Sequence, residues 1–317
     1  MHYRLWIAML VLSSGLVSSV YAQDAAWPDP PSFSPYKGKP GKVVKYNTFN
    51  YLDIRDESGE NLRHAMGKYW EISYTYDSVF RQKRKFREFV ANQVIEKEGH
   101  LFFEDTTQVH FFVPDEGGNV WGRLVLASDK VYRLRLIREE RFTNTLHFDT
   151  KPDVRYERFV DTVQLPPRVT YLPSSWITRI QSSKFNHQEF TWNQKDTLYK
   201  QKVMGPYWDI KLEVRNSRGE VDKTMSTVEL MESYYRACVQ VGGTIIKNRP
   251  RELVFTLPME HAALWCRVSA SLDGVYFIRA ILMDDRDRTE PVKTVTIPPV
   301  YPDSMGNDPV GTVTGNN

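Results

Sequence analysis

The sequence predicts an α+β protein made by tandem duplication. Each unit is expected to be an antiparallel-rich sheet with one packed helix, in the order strand, helix, meander. Three observations predict this. "MGKYWEI" at Met66–Ile72 returns as "MGPYWDI" at Met204–Ile210, 138 positions later (204 − 66). Further matches then follow at one offset of 144: Gly99 with Gly243, Pro114 with Pro258, Trp121 with Trp265, Arg123 with Arg267, Tyr132 with Tyr276, Arg135 with Arg279 and Ile137 with Ile281. The six extra residues (144 − 138) fit the turn-like "NSRGEVDKTMS" at Asn216–Ser226, because insertion into a surface loop costs little. Finally, one helical stretch and a run of short strands recur in each copy.

The chain opens with a short positive start at Arg4, an apolar run over Leu5–Val17, and small residues Val20 and Ala22 at cleavage-site spacing. Residues 1–22 therefore read as a secretory signal; the run is too short for a membrane-spanning helix, which needs about 20 apolar residues. Cleavage after Ala22 leaves 295 residues (317 − 22), enough for two domains. Residues 23–42, rich in Pro, Gly and Ser, are expected to be a flexible segment.

Unit 1 is expected over 43–142 and unit 2 over 165–285, joined by a linker at 143–164 of which part is packed. Each begins with a leading strand, within 43–58 and 169–192. "YWEISYTYD" and "YWDIKLEV" then alternate as strands do. Phe86, Phe89, Val90 and Val94 recur at helical spacing, as do Met231, Tyr234, Tyr235 and Cys238, the latter after a capping box at Ser226–Glu229. Gly99 and the pair Gly242-Gly243 supply helix stops. Four short strands complete each copy, split by turn residues at 115–118 and at Asp273-Gly274. Residues 286–317 are expected to be a flexible tail, with little to bury.

A net charge of +3, or +2 once Arg4 leaves with the signal, is too mild to imply a nucleic-acid partner. The two cysteines, Cys238 and Cys266, read as a disulfide in an exported chain, with two buried free thiols as the alternative. A bridge closing 28 residues (266 − 238) would contribute about 3 kcal/mol.

The stretches "LPPRVTYLPSSWITRIQSSKF", "VMGPYWDI", "TVELMESYYRACVQVGGTII" and "ELVFTLP…LWCRVSAS…VYFIRAI" resemble the N-terminal, non-peptidoglycan-binding region of OmpA-like outer-membrane proteins of Gram-negative bacteria. The resemblance covers about 165–285 and, more loosely, 43–142. The segment after Leu282 does not resemble the peptidoglycan-binding domain of that family. The resemblance implies an envelope location, in the periplasm or at the outer membrane, and a non-enzymatic binding or scaffolding role.

The residues themselves offer little catalysis. No GxSxG, HExxH, calcium-loop or phosphate-loop pattern occurs, so no cofactor and no metal is expected. His100 and His110 flank a predicted hairpin and would bind a metal only if they met across two strands. Glu104-Asp105 and Asp284-Asp285 are candidate hydrolytic pairs by residue type alone. The repeated aromatics Tyr69-Trp70, Trp121 and Tyr132, with Tyr207-Trp208, Trp265 and Tyr276, read as shared core; a sugar-stacking platform, in a carbohydrate-binding or carbohydrate-cleaving protein, is the alternative. A transmembrane β-barrel fits poorly, because helical stretches interrupt the strands. The most unusual stretch is "RQKRKFR": Arg81, Lys83, Arg84, Lys85 and Arg87 crowd the start of a helix, where the dipole disfavours cations. They are candidates for contact with an anionic envelope polymer, acidic lipid or envelope protein; a solvated face balanced by Glu88, Glu96 and Glu98 is the plainer reading.

Overall fold

The computed structural model describes residues 27–31, 41–75, 81–128, 131–149, 165–194, 197–287 and 292–296, without the side chains of 81–84 and 292–296. The signal-like residues 1–22 lie outside this set. The structure is two antiparallel sheets, each with one helix. Unit 1 comprises β1 (Lys42–Arg55), β2 (Asn61–Thr75), α1 (Arg81–Glu96), β3 (His100–Glu104), β4 (Gln108–Val113), β5 (Val120–Ser128) and β6 (Val131–Glu139). Unit 2 comprises β7 (Ser175–Gln194), β8 (Thr197–Val214), α2 (Thr227–Gln240), β9 (Thr244–Arg249), β10 (Glu252–Met259), β11 (Ala262–Leu272), β12 (Val275–Asp284) and β13 (Val292–Thr296).

The strand orders are β1-β2-β6-β5-β4-β3 and β7-β8-β12-β11-β10-β9, the same path with every label advanced by six. Register repeats as well. Trp121 faces Ile137 and Arg123 faces Arg135 in unit 1; Trp265 faces Ile281 and Arg267 faces Arg279 in unit 2. The predicted duplication is therefore a repeated topology.

Strand alternation gives each sheet two faces. One carries the helix: Ile72, Tyr74, Val109, Phe111, Leu124 and Leu134 pack on Phe86, Val90 and Val94 of α1. Trp208, Ile210, Leu212, Phe255 and Ile278 likewise pack on Leu230, Tyr234 and Cys238 of α2. Ser226 caps α2, its hydroxyl accepting from Glu229 N at 3.0 Å. Gly242, at φ +75, stops the helix. In unit 1 the matched position is Glu98, held at φ +57.

The other face is covered by the chain's own hairpin. β1–β2 and β7–β8 are too long for the sheet, so each folds back as an arm over the face away from the helix. The bend is at Gly67 (φ +152) and Gly205 (φ +148), the glycines of the repeated heptapeptide. A Cβ there would collide with the carbonyl oxygens of Arg138 and Leu282 respectively. Beneath the arms lie a second pair of matched clusters: Ile54, Ala65, Tyr69, Trp121 and Ile137, and Phe190, Val203, Trp265, Ile281 and Met283.

Part of the 143–164 linker packs: Leu146 and Phe148 are buried in the core of unit 2, beside Val169 and Leu172. Residues 150–164 lie outside the described set. Two expectations need correction. The tail contributes β13, which pairs Val292–Thr296 with Thr197–Lys200 of β8, because the longer arm of unit 2 offers a free backbone edge. The disulfide is not formed; Cys238 and Cys266 are free, buried thiols in the core of unit 2. The positions matched to them are Val94 and Gly122, so packing alone accounts for two small apolar groups there. Burial pushes the Cys238 thiol up to about 12 and holds Cys266 well above its ordinary range, so neither is a thiolate nucleophile.

The two units touch. The β1 bulge at Asn47–Asn50 docks on the loop and N-terminus that open α2. Thr48 N donates to Thr224 O at 3.1 Å, Asn47 Nδ2 donates to Lys223 O at 3.2 Å, and Ser226 Oγ donates to Phe49 O. Thr48 Oγ1 donates to Glu229 Oε2 at 2.6 Å, and Lys45 pairs with Asp273 at 2.7 Å.

Candidate functional site

The basic stretch opens α1, and its backbone is helical from Arg81. The side chains of Arg81, Lys83 and Arg84 lie outside the described residues. Lys85 is exposed. Arg87 is turned inward: it donates to Asp105 O and lies 3.7 Å from Glu104, so it ties the helix to the β3–β4 turn. Of the five cations, Arg87 thus has a structural task.

The two histidines do not meet. His100 faces Phe112, and His110 faces Phe103. His110 is buried; its Nδ1 accepts from Arg55 N at 2.8 Å and its Nε2 lies 3.2 Å from Gln108 Oε1. Burial, then the nearby Arg123 and Arg55, push its pKa down to about 4, so the ring is neutral. Asp105 is a turn acceptor for Thr107 N and Gln108 N, and Asp284 pairs with Arg286 at 2.6 Å. Among the described residues, no group of three or more His, Cys, Asp or Glu is placed to hold a metal ion, and no helix is long and apolar enough to cross a membrane.

Two features of the arm-side face stand out instead. One is a set of arginines that recurs in both copies. In unit 1, Glu71 accepts from Arg135 at 3.2 Å, pairs with Arg133 at 3.1 Å and accepts from Tyr69 OH at 2.9 Å. Arg123 donates to Gln108 Oε1 at 2.9 Å. In unit 2, Asp209 pairs with Arg279 at 3.3 Å and Arg179 at 3.4 Å, and Arg267 pairs with Glu252 at 3.3 Å. Glu252 is the counterpart of Gln108 (252 − 144), so the carboxylate that neutralises Arg267 is an uncharged amide beside Arg123. Burial, together with Arg135 and Arg55, pushes Arg123 below the ordinary guanidinium range. Arg133 stays 47% exposed beside this cluster.

The other feature is a cavity of about 450 Å³ in unit 2, lined by Trp192, Gln201, Ile246, Thr256, Trp265 and Met283, among others. Trp121 and Trp265 are buried on the sheet face away from the helix. Both indole Nε1 atoms are buried donors without an acceptor. The helix-side pair, Trp70 and Trp208, is core. Trp70 Nε1 donates to Pro28 O at 2.9 Å, which ties part of the N-terminal segment to unit 1.

Sequence reasoning found the repeated arginines and tryptophans as matched pairs. It missed Glu71, Gln108, Arg133, Trp192 and Gln201, because nothing in one dimension places β2, β4, β6 and the arm on a common face. Comparison with protein-family models, with curated proteins and with solved structures finds no match for this chain.

Proposed function

We propose that this chain is an exported cell-envelope protein of a Gram-negative bacterium, periplasmic or associated with the outer membrane, that binds or scaffolds an anionic partner without transforming it. The signal-like residues 1–22 and the resemblance to OmpA-like proteins support the location. The observation that carries the binding reading is the arginine face of unit 1. There Arg133 and Arg135 share the carboxylate Glu71, and Arg123 is held by neutral Gln108 and crowded by Arg135 and Arg55. Guanidinium groups crowded by one another gain from an added phosphate or carboxylate, which they can grip in bidentate fashion. Exposed Lys85 at the start of α1 adds to the same preference for anions.

The test is cosedimentation with lipopolysaccharide and with phosphatidylglycerol vesicles, at low and high salt. Binding is predicted to weaken several-fold as ionic strength shortens the screening length from about 30 to about 8 Å. Arg133→Glu is predicted to weaken it further at low salt, while phosphatidylcholine vesicles pellet nothing. Binding indifferent to salt and to Arg133→Glu would contradict the reading.

A further inference from the structure

The two copies treat one space differently. In unit 1 the Trp121 ring is enclosed by planar groups of its own chain. Phe102 stacks on it at 5.6 Å and 20°, Phe112 tilts against it at 4.9 Å, and the Arg63 guanidinium lies 4.8 Å over the ring. Their counterparts around Trp265 are Ile246 (102 + 144), Thr256 (112 + 144) and Gln201 (63 + 138). Two rings and a guanidinium are replaced by the shorter side chains of an isoleucine, a threonine and a glutamine. The backbone framework is the same, with Trp265 facing Ile281 as Trp121 faces Ile137. The volume that the side chains give up is the cavity of about 450 Å³, within the roughly 300–1,000 Å³ of ordinary ligand sites.

We infer that this cavity is a binding site for an uncharged aromatic ring, seated against Trp265 where Phe102 and Phe112 sit against Trp121. The wall beside Trp265 is pre-organised: Phe190 tilts against Trp265 at 5.1 Å, Trp192 stacks on Tyr199 at 5.6 Å and 14°, and the Trp192 centroid lies 6.4 Å from that of Trp265. A ring entering there meets indole faces at the offset or tilted angles that aromatic pairs prefer. Ile246, Met283 and Pro258 supply the apolar remainder, and Asp285 and Gln201 supply acceptors for a phenol hydroxyl or an amide. The unpaired Trp265 Nε1–H would donate to a ligand oxygen. Trp121 carries the same unpaired donor, so the space, not the donor, distinguishes the copies. The site lies in unit 2, apart from the arginine face of unit 1, and the two inferences fail independently.

The ring can come from a small molecule or from a partner's side chain, and two probes separate these sources. With ¹⁵N-labelled protein, the indole N–H signals of the chain's tryptophans are followed during titration with N-acetyl-tyrosine amide and with a capped pentapeptide centred on tyrosine. N-acetylglucosamine is the control. The Trp265 signal, assigned from Trp265→Phe, is predicted to shift with both aromatic probes and not with the sugar. Equal affinities point to a small molecule, and tighter binding of the peptide to a polypeptide; both support the site. Filling the cavity as unit 1 fills it, with Ile246→Phe plus Thr256→Phe, is predicted to weaken binding at least ten-fold with cooperative melting retained. If that pair does not fold, Gln201→Arg, which lays a guanidinium on Trp265, is predicted to do the same. No shift with either probe, unchanged binding in a folded filled variant, or a response to the sugar alone would overturn the proposal.

Discussion

Gly67 and Gly205 explain why the chain carries the same seven residues twice. Each sits where a hairpin leaves its sheet and turns back as an arm, at a φ that side chains rarely adopt and against a neighbouring carbonyl. Gly67→Ala and Gly205→Ala are predicted to destabilise the fold by about 2–4 kcal/mol each, because both backbone strain and a backbone clash must be relieved. Urea unfolding checks this; a loss below a few tenths would mean the bend lies elsewhere. The sequence made these glycines visible as a repeat but not as bends, since a positive φ leaves no mark beyond the residue itself. Tryptophans tell a similar story. Matched spacing marked Trp121 and Trp265 as shared core, and both are buried, but the neighbours that differ come from separate strands, β2, β3 and β4 in unit 1 and β7, β8, β9 and β10 in unit 2. The cysteines misled because an even pair in an exported chain is ordinarily bonded, whereas here Val94 and Gly122 hold the matched places.

At the scale of elements, the helices were the most legible parts. Apolar stripes at helical spacing set their buried faces, and the capping box at Ser226–Glu229 set where α2 begins. That box has a second use which only the folded chain reveals. Glu229 also receives Thr48 Oγ1 and backbone donors of Phe49 and Ser226, so it joins β1 of unit 1 to α2 of unit 2. Burial, aided by nearby Asp222 and opposed by the hydrogen bond from Thr48, pushes its pKa up to about 7. Because this folded value lies above the unfolded one, the folded chain holds the proton more tightly. The resulting stabilisation is complete below about pH 4.5 and is lost as pH rises through about 7. Glu229→Gln is therefore predicted to flatten the decline in stability between about pH 5 and 8, a difference of about 1–3 kcal/mol. Melting curves across that range check it; parallel wild-type and variant profiles would contradict it. In the arm of unit 2, the leading strand expected within 169–192 forms as β7, although it is mostly exposed. The first half of β8, which pairs with β13, was the least legible part, because it lies before the repeated heptapeptide.

At the scale of the whole molecule, duplication explains both what the units share and where they part. Strand order, register and the two-faced core repeat, because they are properties of the module. Differences arise where one copy meets something the other does not. Phe49 is 5% exposed, because it sits in the junction and packs edge-on against Phe142; its counterpart Phe185 (49 + 136) is 69% exposed. The binding surfaces proposed above follow the same rule: unit 1 has lost a carboxylate beside Arg123, and unit 2 has lost the two rings that Phe102 and Phe112 place against Trp121. Such losses are invisible until the copies are superposed, which is why sequence reasoning fixed on the basic run at Arg81–Arg87. Hydrogen–deuterium exchange of the intact chain tests the repeated, joined architecture most directly. The account predicts slow exchange in β2, β5 and β6 and equally in β8, β11 and β12, with amides near Thr48 protected by the junction. One half exchanging fast throughout while the other is protected, or Thr48 exchanging as a free edge, would contradict it.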